Sequence, residues 1–226
     1  MIKYLLFDAG NTLVYVNMAL VSETLSRHGA DVAPEALWRS EHLARAHLDD
    51  PEVIRTSTDQ TRWALYFETI FRFSGVTARS TVEPVIRDLQ AVHRTNNIWE
   101  IVPPEVPRAL EALRGRYRLA VVSNANGTVR EKLRRVGLAE YFDVILDSHE
   151  EGVEKPDPRI FRIALERLGA RAEEAVHVGD FYHIDVVGAR AAGVRAVLLD
   201  PGGSHRDKPV PRIESIEALG RAVDAL

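Results

Sequence analysis

LLFDAGNTLV, residues Leu5 to Val14, is the stretch on which the reading of this chain turns. The apolar run Tyr4 to Phe7 stops at a carboxylate, Asp8, which opens a small polar turn. Two positions later, where a second carboxylate could stand, the chain has Gly10. A short unbroken apolar run of this kind reads as a parallel strand buried on both faces. Similar runs recur at Leu119 to Val122, Phe142 to Leu146, Ala175 to Val178 and Ala196 to Leu199, with helix-like text between them. That alternation predicts an α/β fold built on a doubly wound parallel sheet. Helices are expected over Glu105 to Arg114, Thr128 to Val136, Pro158 to Leu168 and Ile184 to Ala192. A glycine follows each of the last three, where a left-handed cap is commonly needed.

From Val14 to about Ile101 the text changes. It holds no comparable β-rich run, and offers helices near Ala19 to His28, Pro34 to Leu48, Asp59 to Phe73 and Val82 to Arg94. It reads as an inserted helical subdomain, residues 14–101, in a core made of residues 1–13 and 102–226. Its far border is IVPPEVP, Ile101 to Pro107, whose three prolines suit a linker. Trp38, Trp63 and Trp99, with Tyr66, Phe67 and Phe71, most simply form the core of the insertion. DPGGSHRDKPVPR, Asp200 to Arg212, reads as a loop before a last amphipathic helix.

The chain has 226 residues, 46% hydrophobic and 27% charged, enough to bury a sizeable core. With 33 acidic against 29 basic side chains, nothing in its charge draws it to nucleic acid or to an anionic membrane. The absence of cysteine excludes disulfides, thiolate metal sites and a cysteine nucleophile. No signal-like or membrane-spanning segment is legible, so a cytoplasmic protein is the expectation.

In open parallel sheets, ligands collect beyond the carboxyl ends of the strands. Polar groups stand at four such ends: Asp8; the pair Ser123-Asn124; the loop Asp147 to Asp157, which carries Lys155; and Gly179-Asp180, with Asp185 farther on. Each has an ordinary structural reading. Asp8 and Ser123-Asn124 could be helix caps or turn formers, Lys155 a solvated loop lysine, and Asp185 a helix-dipole partner. Their order on successive strands favours instead one site for a cation and an anion.

That order resembles the haloacid dehalogenase (HAD) superfamily of hydrolases, through FDAGNTL, VVSNANG, EKPDPRIF and VGDFYHIDVVGARAAG. The resemblance implies a HAD-like, Rossmann-like core, with the insertion as a helical cap. It implies that Asp8 is the nucleophile and forms an aspartyl intermediate that water hydrolyses. Ser123, Asn124 and Lys155 would hold the phosphoryl oxygens, with Lys155 offsetting charge between two anions. Mg²⁺ would sit on Asp8, Asp180 and the backbone carbonyl of Gly10, with Asp185 in its outer shell or orienting Lys155. The EKPDPRIF and VGD forms resemble the phosphatase-like members, so the implied substrate is a small phosphorylated metabolite.

The departure from that pattern is Gly10, where the phosphatases usually carry a second aspartate that protonates the leaving alcohol and later activates water. Such help is worth about 10² to 10⁴ in rate. Haloacid dehalogenases also lack this acid, since halide leaves without a proton, and they work without metal. Phosphonoacetaldehyde hydrolases lack it too, but use a cap lysine, and Val14 to Ile101 contains no lysine. Histidines that could replace the acid are His28, His42, His47 and His93 in the insertion and His183 in the fourth motif. A weakly active ligand-binding protein on the same scaffold is the non-enzyme alternative.

Overall fold

A computed structural model describes all 226 residues, Met1–Leu226. The chain opens with β1 (Tyr4–Phe7) and β2 (Tyr15–Val16). Five helices follow, α1 (Met18–Arg27), α2 (Pro34–Leu48), α3 (Pro51–Thr56), α4 (Asp59–Phe73) and α5 (Arg79–Asn96). Next come β3 (Trp99–Ile101), α6 (Glu105–Arg114), β4 (Arg118–Ser123), α7 (Val129–Arg135), β5 (Val144–Asp147), α8 (Ser148–Glu151) and α9 (Pro158–Leu168). The remainder is β6 (Ala175–Gly179), α10 (Val187–Ala191), β7 (Arg195–Leu199), β8 (Arg212–Ile213) and α11 (Leu219–Asp224). No helix is long and apolar enough to cross a membrane.

The chain divides into two compact units: Met1–Tyr15 with Ile101–Leu226, and Val16–Glu100. The first holds a six-stranded sheet in the order β5-β4-β1-β6-β7-β8, every pairing parallel. This is the expected doubly wound α/β sheet. Its first strand lies in the middle: Phe7 is level with Val121 of β4 on one side and Val178 of β6 on the other. Leu5, Leu6 and Phe7 are wholly buried, as the unbroken apolar run required.

Helix α9 shows how local sequence sets an element. The Asp157 side chain accepts from Arg159 N–H, Pro158 occupies the first turn, and Gly169 closes the helix at φ +63°. Ile160, Phe161, Ala164, Leu165 and Leu168 form its buried face, packed with Leu6, Val122 and Leu198 of the sheet.

Several short elements escaped the sequence. Strands β2 and β3 pair as a two-stranded ribbon where the chain passes between the units, and β8 closes the sheet edge inside the expected loop Asp200 to Arg212. IVPPEVP is only partly linker, because α6 begins at Glu105 and Pro107 falls in its first turn, where a missing N–H is no loss. The helix expected from Ile184 is split into a π-helical turn, Tyr182–Val186, followed by α10.

The second unit is all helical apart from the ribbon. Phe67 and Phe71 are fully buried, and the Phe67 ring lies 4.6 Å from Trp63, 5.1 Å from Tyr66 and 5.8 Å from Trp99. Trp63, Tyr66, Phe67, Phe71 and Trp99 thus pack with one another. A buried polar group joins two of its helices: Glu41 accepts from Tyr66 Oη at 3.1 Å and lies 3.4 Å from Arg45 Nε.

Candidate active site

The site is built where β4, β1 and β6 end. Asp8 extends the ladder by one bond, its N–H donating to Val178 O at 2.8 Å. The chain then turns sharply, with Ala9 O accepting from Leu13 and Val14 N–H, and Asn11 left-handed at φ +53°, a conformation asparagine tolerates. The turn leaves the Asp8 carboxylate at the carboxyl edge of the central strand. Gly10 lies in the turn itself, bridged to Val14.

Lys155 comes from the far side of the sheet order and is 1% exposed. Its Nζ donates to Asp8 Oδ1 and to Asp185 Oδ1, both at 2.7 Å. An ammonium so deeply buried would ordinarily lose its proton, but the two carboxylates outweigh desolvation and hold its pKa above the usual lysine value. Asp185 is likewise desolvated, yet Lys155 and His177 keep it well below the usual carboxylate range. For Asp8 burial prevails over Lys155, and the neighbouring Asp185 adds to it, so its pKa is pushed up. Two buried carboxyl groups share one ammonium.

The loop carrying Lys155 is held by Asn124, in the residue pair after β4. Asn124 Oδ1 accepts from Lys155 N–H at 2.7 Å and its Nδ2 donates to Lys155 O at 2.9 Å. The resemblance implies that Asn124 holds phosphoryl oxygens; its side chain is bonded on both sides to the backbone of Lys155. Ser123 is buried at the end of β4, level with Asp147 of β5. Asp147 Oδ2 accepts from Gly127 and Val129 N–H, and Ser148 Oγ pairs with the N–H and O of Ala125. The loop after Ser123 is therefore braced from β5, which gives the polar residues Asp147 and Ser148 a structural task.

Two glycines allow these close approaches. A Cβ on Gly179 would stand 2.2 Å from Asp185 Cγ, because the π-helical turn swings the Asp185 carboxylate back over the strand end. A Cβ on Gly188 would meet the Pro156 backbone at 2.9 Å. Gly179→Ala is expected to displace Asp185 and with it Lys155. Hydrolytic turnover should fall about 100-fold, and unfolding by denaturant should show a loss of about 1–3 kcal/mol. Unchanged turnover would mean that the site does not need Asp185 where it stands.

The chain matches the model of the haloacid dehalogenase-like hydrolases over residues 2–193. It belongs to the haloacid dehalogenase-like hydrolases. This HAD-like hydrolase is 30% identical over 235 residues to haloacid dehalogenase-like hydrolase domain-containing protein 3 of Mus musculus, covering 99% of this chain and 93% of the relative. It is 41% identical over 172 residues to a phosphoserine phosphatase of Thermus thermophilus, covering 75% and 65%. Among solved structures, a 2-haloacid dehalogenase from Pseudomonas syringae superposes with a TM-score of 0.62 at 27% identity, over 100% of this chain and 99% of that one.

The likeness to the phosphatase members of the family implies a divalent cation, and the donor set of this HAD-like hydrolase suits a hard one. Asp180 is buried one residue past the end of β6, the strand paired with β1, and Gly10 offers a backbone carbonyl. No group of three or more His, Cys, Asp or Glu side chains stands together as a metal cluster, so a cation would rely on these few oxygens and on water. Two buried carboxyl groups, Asp8 and Asp185, facing the one Lys155 ammonium are the observation that fits it. Asp185 is turned elsewhere, with Oδ1 accepting from Lys155 and from His177 Nε2 at 2.9 Å, and Oδ2 from Phe181 N–H at 3.0 Å.

The histidines named as replacement acids each have a neighbour within their own unit. His28 Nε2 is 2.9 Å from Asp88, His42 Nδ1 is 3.0 Å from Arg45, His47 packs edge-on to Phe73, and His93 lies between Trp63 and Trp99. His183 packs edge-on to Tyr182 in the π-helical turn. His177, unremarked in the sequence because it sits inside an apolar strand, is the histidine that bonds directly to the charged cluster.

Proposed function

We propose that this hydrolase is a Mg²⁺-dependent phosphatase acting on a small phosphorylated metabolite through an aspartyl-phosphate on Asp8. The observation that carries this reading is the buried Lys155 ammonium held between Asp8 and Asp185. It keeps a cation beside the point where an anionic carboxylate must meet an anionic phosphoryl group. An oxygen of Asp8 attacks phosphorus, the bond to the leaving oxygen breaks, and that oxygen departs with a proton or as a stable anion. Water then cleaves the acyl phosphate, releasing phosphate and restoring the carboxylate. Lys155 offsets the charge on the transferring group, Ser123 and the loop after it supply donors to its oxygens, and Asn124 and Asp185 hold Lys155 in place. Asp8, Asp180 and the Gly10 carbonyl would hold the cation, which would supply further charge compensation. The helical unit Val16–Glu100 is read as the cap from its place in the chain, directly after the first motif.

Gly10 bears on substrate choice. With no carboxylic acid there to protonate an alkoxide, esters with good leaving groups, acyl phosphates among them, are the preferred class. Gly10→Asp is expected to raise kcat/KM for an alkyl phosphate by about 10-fold or more, and less for an aryl phosphate whose leaving group needs little protonation. Equal gains on both would argue against a missing acid.

A second reading has its own support. The Pseudomonas syringae neighbour is a 2-haloacid dehalogenase, and halide departs without a proton, as Gly10 would allow. Release of phosphate from acetyl and para-nitrophenyl phosphate, and of halide from 2-chloropropionate, with and without Mg²⁺, separates the two. Mg²⁺-dependent phosphate release is the expected result; metal-independent halide release would overturn it.

A further inference from the structure

We propose that His177 is a positioning residue: a neutral imidazole, protonated at Nε2, that fixes Asp185 and through it the direction in which Lys155 reaches Asp8. His177 lies in the middle of β6, level with Leu6 of β1 and Ala196 of β7, and is 0% exposed. Its neighbours along the strand, Ala175, Val176 and Val178, are apolar and buried. A polar ring at such a place is costly unless it is bonded. Only one of its nitrogens is. Nε2 lies 2.9 Å from Asp185 Oδ1, while Nδ1 is buried with no hydrogen-bond partner and the ring packs edge-on to Phe161 at 4.9 Å.

This asymmetry fixes the proton. The carboxylate can only accept, so the short contact requires hydrogen on Nε2, and hydrogen on Nδ1 would bury a donor with no acceptor. The consequence falls on Asp185 Oδ1, which lies between two donors, Lys155 Nζ on one side and His177 Nε2 on the other. The backbone N–H of Phe181 holds only the other oxygen. Without the ring nitrogen, Oδ1 is left to Lys155 alone, and the ammonium follows the carboxylate away from Asp8. A side chain needed only to fill space at this point could be an aliphatic residue like its neighbours.

The kinetic arm of the test rests on the phosphatase reading, and the spectroscopic arm does not. In the full chain labelled with ¹⁵N-histidine, one imidazole should show the Nε2–H tautomer throughout the neutral range, and its signals should vanish in His177→Gln. With para-nitrophenyl phosphate, His177→Gln, whose amide nitrogen reaches the place of Nε2, should keep kcat within about threefold. His177→Asn, which reaches only the place of Nδ1, and His177→Leu should lose about 10- to 100-fold in kcat with little change in KM. An Nδ1–H tautomer or a titrating imidazolium in the wild type would overturn the proposal, as would a leucine variant with wild-type kcat. A wild type inactive on every phosphate ester would overturn the phosphatase reading alone, since the tautomer still decides the role of His177.

Discussion

Asp8→Asn is expected to remove turnover, by about 10⁴-fold or more, while leaving the protein as stable as before or more so. An amide cannot form the acyl intermediate, so no slower version of the same route remains. The stability half of the result follows from electrostatics. Burial and the nearby Asp185 raise the pKa of Asp8, which means its ionised form is held in the fold at a cost. Asparagine keeps the shape and one hydrogen-bond acceptor for Lys155 and removes the charge. Asp185 then has the ammonium to itself. Phosphate release measured beside thermal unfolding checks both halves. Retained turnover would exclude Asp8 as nucleophile, and a large drop in the unfolding midpoint would show that its charge supports the fold.

Lys155→Met should have the largest effect on stability, a loss of about 3–5 kcal/mol at neutral pH. The methionine fills most of the volume but leaves two buried carboxyl groups without a cation, with the His177 and Phe181 N–H groups as the remaining donors to Asp185. The sign of the pH dependence separates this cause from a packing defect. In the wild type, Asp185 is held below the usual range, so its contribution is complete above the unfolded carboxyl pKa and fades only as the pH falls below it. In the variant both carboxyls are raised in the folded state, so the unfolded chain binds fewer protons and stability falls as pH rises through the unfolded value. The deficit should therefore be larger at pH 8 than at pH 5 in urea unfolding. A deficit equal at both would point to shape.

The core strands were legible because each is a run of apolar residues long enough to be buried on both faces, and each ends in a polar group that has to lie at the sheet edge. Tyr4–Phe7 is the plainest case. Strands β2, β3 and β8 were not legible, because two or three residues carry no periodicity. Lys155 was found by its place in the loop after the Phe142 to Leu146 run, but its two partners are 147 and 30 residues away and only the fold brings them together. Asn124 was found with a different task, since sequence shows a polar residue near the site and not which way its amide is used. His177 was hidden by its apolar neighbours, and Gly179 by the fact that its need is a carboxylate from the next turn rather than a backbone angle.

The central position of β1 sets an order of assembly. Strand β1 meets its neighbours only when β4, beginning at Arg118, and β6, beginning at Ala175, have been made. The helical unit, one continuous stretch of chain, precedes both. Asp8 is thus synthesised 147 residues before its lysine, so no nascent chain that stops short of Lys155 holds the charged cluster. Long-range parallel pairing of this kind is slow to form. Until those strands exist, the segment that bears the reactive carboxylate is an apolar strand without its partners.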